Sequence, residues 1–209
     1  MHRGRWRWAL LACCLLAWGP GALAAAPPCE PSSQAKPSAA PVSTALIFSG
    51  GGAKGAYEAG VASVFLSRGV PLRLVAGTSA GALNATMVAA GQTELLEEMW
   101  RSLTREQVYF LRPSIFFAGL LPGWLTLWRV NQAGSLFDTG PLRALIETRV
   151  DLERVRRSPT RLVIVTADLS RRVKRLFDNQ SVTVDALMAS VAVPGAFPPV
   201  ALDGALLFD

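Results

Sequence analysis

Two glycine-rich motifs, GGGAKG at residues 50–55 and GTSAG at residues 77–81, contain the residue types best suited to chemistry in this 209-residue chain. Each follows a short apolar run, TALIFS or LRLVA, and precedes a segment with helical character. Glycine allows positive φ and lets backbone N–H groups approach an anion closely. At the first motif that anion is a nucleotide phosphate, a dinucleotide pyrophosphate or the oxyanion of an acyl-transfer intermediate.

The first motif fits a nucleotide poorly. A Walker loop needs Gly-Lys followed by Ser or Thr, but Lys54 is preceded by alanine and followed by Gly55. Gly50, Gly52 and Gly55 do match the dinucleotide pattern G-x-G-x-x-G, which also expects an acid about 20 residues later. No Asp or Glu occurs at residues 59–93. A dinucleotide-binding module is therefore the minor alternative, and Lys54 either braces the loop or is simply solvated.

The second motif has the pattern G-x-S-x-G between a strand and a helix, which is the setting of a nucleophile elbow. Gly77 and Gly81 permit the sharp turn that lifts the Ser79 hydroxyl off the backbone. If the two strands are neighbours in a parallel sheet, the glycine loop faces this serine. The N–H groups that would then surround an oxyanion are those of Gly51, Gly52 and Ala80.

A serine hydroxyl needs a base that takes its proton. The only histidine is His2, which lies in a segment that we expect to be removed. The candidate bases are therefore carboxylates, and Asp203 and Asp209 lie near the C-terminus, where an Asp-Gly pair between apolar runs predicts a hairpin turn. A histidine-dependent esterase whose histidine follows residue 209 is the enzyme alternative, because an α/β-hydrolase places its histidine last.

Three segments in this order, GGGAKG, GTSAGALNA and ASVAVPGAFPPVALDGALLFD, resemble the patatin-like phospholipases over residues 44–209. The resemblance implies lipid acyl hydrolysis by a Ser-Asp dyad without a metal or organic cofactor. It implies an oxyanion hole at Gly50–Gly52, a nucleophile at Ser79 and a base at Asp209, because the catalytic aspartate of bacterial members follows a DG turn by about six residues. Asp203 is the alternative base. Members usually continue further, so we expect a chain truncated at its catalytic aspartate.

The elements that must position these motifs alternate along the chain. Strands are predicted at residues 44–49 and 72–79, each followed by a helix that a glycine ends. Later segments predict a helix at 139–150, strands at 161–170 and 172–178, and, within 182–197, a helix that Pro194 closes. This order predicts an α/β fold with a mainly parallel central sheet and helices on both faces. The resemblance makes it a patatin-like three-layer sandwich, incomplete at its C-terminus.

The N-terminal residues predict export. Residues 1–25 combine arginines, an apolar run of about ten residues and small residues in an A-x-A pattern, the layout of a signal peptide. Residues 26–43 are rich in Pro, Ala and Ser and predict a linker to the domain at 44–209. We expect a periplasmic, outer-membrane-associated or secreted protein. Loss of the three arginines at 3, 5 and 7 lowers the formal charge from +6 to +3, so nucleic acid is not an expected partner.

The stretch at residues 110–130 is apolar and aromatic, but Arg112 and two prolines interrupt it. It predicts either a buried insertion or an exposed flap that contacts a membrane surface. The combined hypothesis is a serine lipid acyl hydrolase of the phospholipase A or lysophospholipase type, acting on phospholipids or other acyl-ester lipids. From a different class, a catalytically inactive lipid-binding fragment is the alternative.

Overall fold

A computed structural model describes residues 43–118, residue 123 and residues 134–209. The predicted signal peptide at 1–25 and all but the last residue of the predicted linker at 26–43 lie outside the described residues. Most of the apolar stretch after residue 118 lies outside them as well. The described residues belong to one compact unit that spans 42–209.

The unit begins with the predicted order of strand, helix, strand and helix. The elements of its first half are β1 (Thr44–Phe48), α1 (Gly55–Ser67), β2 (Leu72–Gly77), α2 (Ala80–Ala89), α3 (Thr93–Ser102), β3 (Phe110–Leu111) and α4 (Pro113–Ala118). The second half contains β4 (Phe137–Asp138), α5 (Gly140–Arg149), α6 (Leu152–Arg157), β5 (Arg161–Asp168), β6 (Val173–Phe177), α7 (Val184–Ser190), β7 (Val200–Leu202) and β8 (Ala205–Phe208). Short 3-10 turns occupy Gly52–Lys54 and Arg105–Gln107.

The central sheet is mainly parallel and is flanked by helices, which confirms the predicted α/β fold. β1, β2 and β5 are neighbours and run parallel. β6 and β8 both pair antiparallel with β5, and β7 pairs antiparallel with β8. The first two strands are therefore adjacent, and their carboxyl ends, which lead into the two glycine motifs, meet at one edge of the sheet.

The core lies on one face of the sheet. Its buried strand side chains include Val75, Leu162 and Ile164, and α2 is buried against them along its whole length. Most residues of α2 are small, which allows its backbone to approach the sheet closely. On the other face, Ile47 and Leu176 are 74% and 61% exposed. The one-sided core holds α2, and therefore the serine motif at its start, firmly on the sheet.

Turn residues end these elements where the sequence predicts. Gly69 and Gly91 have φ of 70° and 67° just after α1 and α2, the left-handed conformation that ends helices. Asp203 and Gly204 have φ of 48° and 71° between β7 and β8, the geometry of a tight hairpin turn. Helix α7 ends at Ser190, four residues before Pro194, the residue predicted to close it. The short helices α3 and α6 have no counterpart in the sequence prediction.

A carboxylate fixes the turn between β5 and β6. Asp168, 2% exposed, accepts hydrogen bonds from the backbone N–H and the guanidinium of Arg171, each at 3.0 Å. The backbone N–H bond holds the pKa of the Asp168 carboxyl below its usual range. The turn thus keeps its carboxylate anchor under mildly acidic conditions.

In the described ranges, no helix combines the length and apolarity needed to cross a membrane.

Candidate active site

The glycine loop after β1 lies directly against Ser79. A Cβ added to Gly50 would stand 3.2 Å from the Cβ of Ser79. Gly51 and Gly52 have φ of 150° and 57°, values that L side chains rarely adopt. The aliphatic stem of Lys54 packs over Gly51, where an added Cβ would meet Lys54 Cδ at 3.3 Å. The loop conformation therefore requires glycine. Lys54 contacts the loop through its stem and is itself exposed, so the bracing and the solvated interpretation both remain predictions.

Ser79 occupies a strained turn between β2 and α2. Its φ of 54° and ψ of −131° lie outside the usual regions for a residue with a side chain. A Cβ on Gly77 would stand 2.1 Å from the carbonyl oxygen of Gly81, and a Cβ on Gly81 would stand 2.5 Å from that of Ser49. Both glycines of the motif therefore permit backbone approaches that no other residue tolerates, which is the geometry of a nucleophile elbow.

Gly77→Ala is expected to lower the free energy of unfolding by about 3 kcal/mol or more, because its Cβ would collide with backbone that cannot rotate away. Urea unfolding measures the loss. The matched control is Gly60→Ala on α1, where an added Cβ meets nothing within 4 Å, and there alanine should be neutral or stabilising. Equal stability of the two variants would contradict the close packing at the elbow.

Two strands approach each other end to end along one edge of β5. Ile164 of β5 pairs with both β2 and β6, so these two strands lie on opposite edges of β5. Ala167 pairs with both β6 and β8, which puts β8 on the same edge as β2. Because β8 runs antiparallel to β2, their carboxyl ends face each other. The residue after β8, Asp209, is therefore brought to the residues after β2.

Asp209 is held beside the elbow by two hydrogen bonds. Its Oδ1 accepts a hydrogen bond from Thr78 Oγ1 at 3.3 Å, and its N–H donates to the carbonyl of Ala192 at 3.1 Å. Thr78 is the immediate neighbour of Ser79. The described residues show no direct hydrogen bond between Asp209 and Ser79 Oγ. Catalytic hydrogen bonds are often long in ligand-free structures and tighten on binding.

Asp203 lies away from the elbow, in the exposed turn between β7 and β8. Its carboxylate accepts a short hydrogen bond from Arg175 on β6, and its side chain is 63% exposed. Its positive φ belongs to the turn. The geometry therefore brings Asp209, and not Asp203, together with Thr78 and Ser79.

Ser190, at the end of α7, contacts the elbow although the sequence did not mark it. The Ser79 N–H donates to Ser190 Oγ at 3.1 Å, and Ser190 Oγ donates to the carbonyl of Val165 at 2.8 Å. Ser190 is fully buried. Its only signal in the sequence is its position in the run that resembles the family. Because this bond occupies the Ser79 N–H, an oxyanion must take its donors from elsewhere.

The predicted oxyanion donors belong to the two segments that meet at Ser79. Ala80 begins α2 and Gly52 begins a 3-10 turn, and the first N–H groups of a helix have no intrahelical partner. Such groups, together with the helix dipole, favour a negative charge. Ala80 directly follows Ser79, and Gly51 and Gly52 directly follow Gly50, which lies against Ser79. In the described ranges no cluster of His, Cys, Asp or Glu is placed to hold a metal ion.

Glu58 on α1 holds the start of the glycine loop. Its Oε1 accepts hydrogen bonds from the Ser49 N–H at 2.9 Å and from Ser49 Oγ at 2.7 Å. Its Oε2 is shielded from solvent and has no hydrogen-bond partner among the described residues. Nothing in the sequence separates this glutamate from a surface residue, because the contact depends on how α1 folds back over the loop.

Glu58→Ala is expected to lower kcat about 10- to 100-fold with little change in KM, because the freed loop would present its N–H groups less accurately to the transition state. Steady-state kinetics on a soluble ester measure the two constants. Glu58→Gln keeps an acceptor oxygen for Ser49 and should retain kcat within a few-fold. Full activity of Glu58→Ala would refute the positioning role.

Asn84 connects three helices behind the elbow. It is fully buried on α2, donates to the carbonyl of Gly55 at 2.9 Å and accepts from the Trp100 indole N–H at 2.8 Å. A Cβ on Gly55 would stand 2.7 Å from the Trp100 ring. The start of α1, and with it the glycine loop, is therefore fixed relative to α2.

A separate cavity of about 320 Å³ lies at the start of α5. Arg143 and Asp185 pair at 2.5 Å in its wall, and Pro198 and Pro199 line another side. Ser79 and Asp209 are not part of its lining. The cavity is therefore distinct from the elbow.

Comparison with known proteins identifies the family to which this chain is similar. The family model described as Patatin-like phospholipase matches residues 46–209. An uncharacterized NTE family protein of Mycobacterium tuberculosis is 30% identical over 166 residues, covering 79% of this chain and 41% of the relative. A patatin-like phospholipase domain-containing protein of Aspergillus niger is 30% identical over 169 residues, covering 76% of this chain and 22% of the relative.

Among solved structures, the crystal structure of VipD from Legionella pneumophila matches with a TM-score of 0.54 and 17% identity, covering 79% of this chain and 45% of that chain. At that identity the likeness concerns the fold alone. The chain spans less than half the length of each of these proteins. With the family model covering residues 46–209, the chain belongs to the patatin-like phospholipase family.

Proposed function

We propose that this chain is a lipid acyl hydrolase in which Ser79 is the nucleophile and Asp209 the base. Family membership supports lipid acyl hydrolysis in general. The observation that carries the finer assignment is the shared edge of β5, along which β2 and β8 bring Thr78 and Asp209 into hydrogen-bond contact. The glycine loop packs against the same serine.

In the proposed reaction, Ser79 Oγ attacks the acyl carbonyl carbon and its proton passes to the Asp209 carboxylate. The carbonyl oxygen becomes an oxyanion, which accepts hydrogen bonds from the N–H groups of Gly51, Gly52 and Ala80. Collapse of the intermediate releases the alcohol portion of the lipid, which takes the proton. Water then attacks the acyl-serine and gives a proton to the Asp209 carboxylate. That proton passes to Ser79 Oγ as the bond to the acyl carbon breaks and the fatty acid leaves, so neither a metal nor an organic cofactor enters the cycle.

The substrate in this proposal is a phospholipid or another acyl-ester lipid, as in phospholipase A or lysophospholipase chemistry. Export through the inner membrane, inferred from residues 1–25, is part of the same proposal. Contact of residues 110–130 with a membrane surface also stays a proposal. Within the described part of that stretch, Phe110, Leu111 and Phe116 are 46%, 43% and 61% exposed.

Two assays test the proposal: release of fatty acid from phospholipid vesicles, and release of p-nitrophenol from p-nitrophenyl butyrate. The Ser79→Ala variant is the negative control in both. We expect the wild-type chain to hydrolyse both substrates. Vesicle binding without release of either product would instead identify a lipid-binding protein without the chemistry. Hydrolysis that persists in Ser79→Ala would move the reaction to another site.

A further inference from the structure

The turn between β5 and β6 extends beyond the candidate active site at the same end of the sheet. β2 and β5 run parallel, and Gly77 at the end of β2 pairs with Ile164. β5 continues for four more residues to Asp168, roughly 13 Å at about 3.3 Å per residue. The hairpin tip, defined as residues 169–174, is therefore the part of this hairpin that lies furthest beyond Ser79.

The hairpin tip combines exposed apolar and cationic side chains. Leu169 and Val173 are 51% and 53% exposed. On the neighbouring β8, Leu206 is 41% exposed and directly precedes Leu207, which pairs with Asp168, the residue before Leu169. Three exposed apolar side chains thus lie where two hairpins end. Val173 is on the face shared by Asp168 and Leu207, and Leu206 is on the opposite face. The cations among them are Arg171, Arg172 and Lys174.

The charge of this region is positive and is not neutralised internally. Its two acids, Asp168 and Asp203, are each bound by one arginine, Arg171 and Arg175. Among the described residues, Arg172 and Lys174 make no ion pair. The cations of the region are Arg171, Arg172, Lys174 and Arg175, so its net charge is 4 − 2 = +2. Arg172 and Lys174, which are exposed, carry this net charge.

Hydrogen bonds and strand pairing hold the tip in a defined conformation. The Asp168 carboxylate binds the Arg171 N–H across the turn at 3.0 Å, and five residue pairs join β5 to β6. Arg172 adopts a left-handed φ of 56°, which fixes the direction of the chain at the tip. The apolar and cationic side chains are therefore presented in a defined arrangement.

We propose that the hairpin tip docks on an anionic lipid surface, with Leu169, Val173 and Leu206 entering the headgroup region and Arg172 and Lys174 binding lipid phosphates. Cations interleaved with exposed aliphatic side chains match such a surface. Residues 169–174 contain no aromatic side chain on which a base would stack, which disfavours single-stranded nucleic acid.

This inference rests on the proposed function, because docking would serve lipid hydrolysis at Ser79. Docking by the tip would bring the end of the sheet that carries Ser79 to the bilayer. The roughly 13 Å between the two levels along β5 compares with about 15 Å for one leaflet of a roughly 30 Å hydrocarbon core. The acyl chain of a lipid partly withdrawn from the leaflet is therefore long enough to reach from the level of the tip to the level of Gly77.

The test places an environment-sensitive NBD fluorophore at the tip. The full chain, with its three native cysteines replaced by serine, carries Ser170→Cys for labelling, and Ser67→Cys at the end of α1 serves as the control site. Vesicles of phosphatidylcholine with 30% phosphatidylglycerol should raise and blue-shift the emission at position 170 and leave position 67 unchanged. Comparing labelled positions separates tip insertion from any binding by residues 1–42.

Charge reversal tests the recognition. Arg172→Glu with Lys174→Glu should weaken the emission change at position 170 at least about tenfold in lipid titrations. Arg68→Glu with Arg161→Glu makes the same change in net charge at the opposite end of the sheet and should have little effect. An unchanged emission at position 170, an equal response to pure phosphatidylcholine, or a response to an oligonucleotide or acidic protein in place of vesicles would each overturn the proposal.

Hydrolysis of p-nitrophenyl butyrate separates this inference from the proposed function. Arg172→Glu with Lys174→Glu should leave turnover of this soluble ester unchanged while slowing hydrolysis of anionic vesicles. A tip that binds vesicles in a chain without esterase activity would refute the proposed hydrolysis and support docking. Turnover of both substrates without any emission change at the tip would support the proposed hydrolysis and refute docking by the tip.

Discussion

Ser79→Ala is expected to abolish ester hydrolysis, with kcat/KM falling at least about 10³-fold, while leaving the fold intact. Removal of the nucleophile prevents the acyl-enzyme from forming, and no neighbouring group replaces it. The substitution removes one oxygen whose hydrogen bonds do not support the described structure: the contact that Ser79 makes to Ser190 comes from its backbone N–H. Stability should therefore be almost unchanged.

Kinetics on p-nitrophenyl butyrate and urea unfolding, measured on the same preparation, check both halves of this expectation. Ser67→Ala is the matched control, because Ser67 is an exposed serine that donates only to the carbonyl one turn back, at the far end of α1. It should keep wild-type kinetics. If Ser79→Ala retained more than a few per cent of the activity, the elbow would not hold the nucleophile.

Asp209→Asn is expected to lower kcat about 10²- to 10⁴-fold, the range for loss of a general base. Asparagine has almost the same shape and keeps an oxygen that can accept the hydrogen bond from Thr78, so the exchange removes the base with little change in packing. The fall should appear mainly in kcat, because the carboxylate acts when the serine proton moves.

Asp203→Asn is the matched control for this prediction. It removes a carboxylate of the same type six residues away, in a turn whose positive φ asparagine tolerates well. The partner lost is Arg175 and not the elbow. We expect kcat within a few-fold of wild type. A large loss in Asp203→Asn with normal kinetics in Asp209→Asn would reverse the assignment of the base.

The local parts of this site could be predicted from the sequence because glycine is the residue that sharp turns and positive φ angles require. GTSAG between an apolar run and a helix leaves few alternatives to a sharp turn at Ser79, and the structure has that turn. The Asp-Gly pair at 203–204 likewise predicts a turn from two residues. The adjacency of β1 and β2 follows from the alternating order of strands and helices.

The non-local parts were beyond the sequence. That β2 and β8 share one edge of β5 depends on strand pairing between residues about 87 positions apart for β2 with β5 and about 40 apart for β5 with β8. The contacts of Glu58 and Ser190 depend on how α1 and α7 lie over the elbow, and neither residue belongs to a motif with known local geometry. The choice of Asp209 over Asp203 came from the resemblance, since both residues carry the same chemistry.

The most direct test of the Ser79 and Asp209 assignment is covalent labelling. The chain is treated with a fluorophosphonate, and the modified peptide is identified by mass spectrometry in the wild type, Asp209→Asn and Asp203→Asn. We predict one adduct, on Ser79, that forms at the same rate in the wild type and Asp203→Asn and at least about tenfold more slowly in Asp209→Asn. An adduct on another residue, or equal rates in all three chains, would contradict the account.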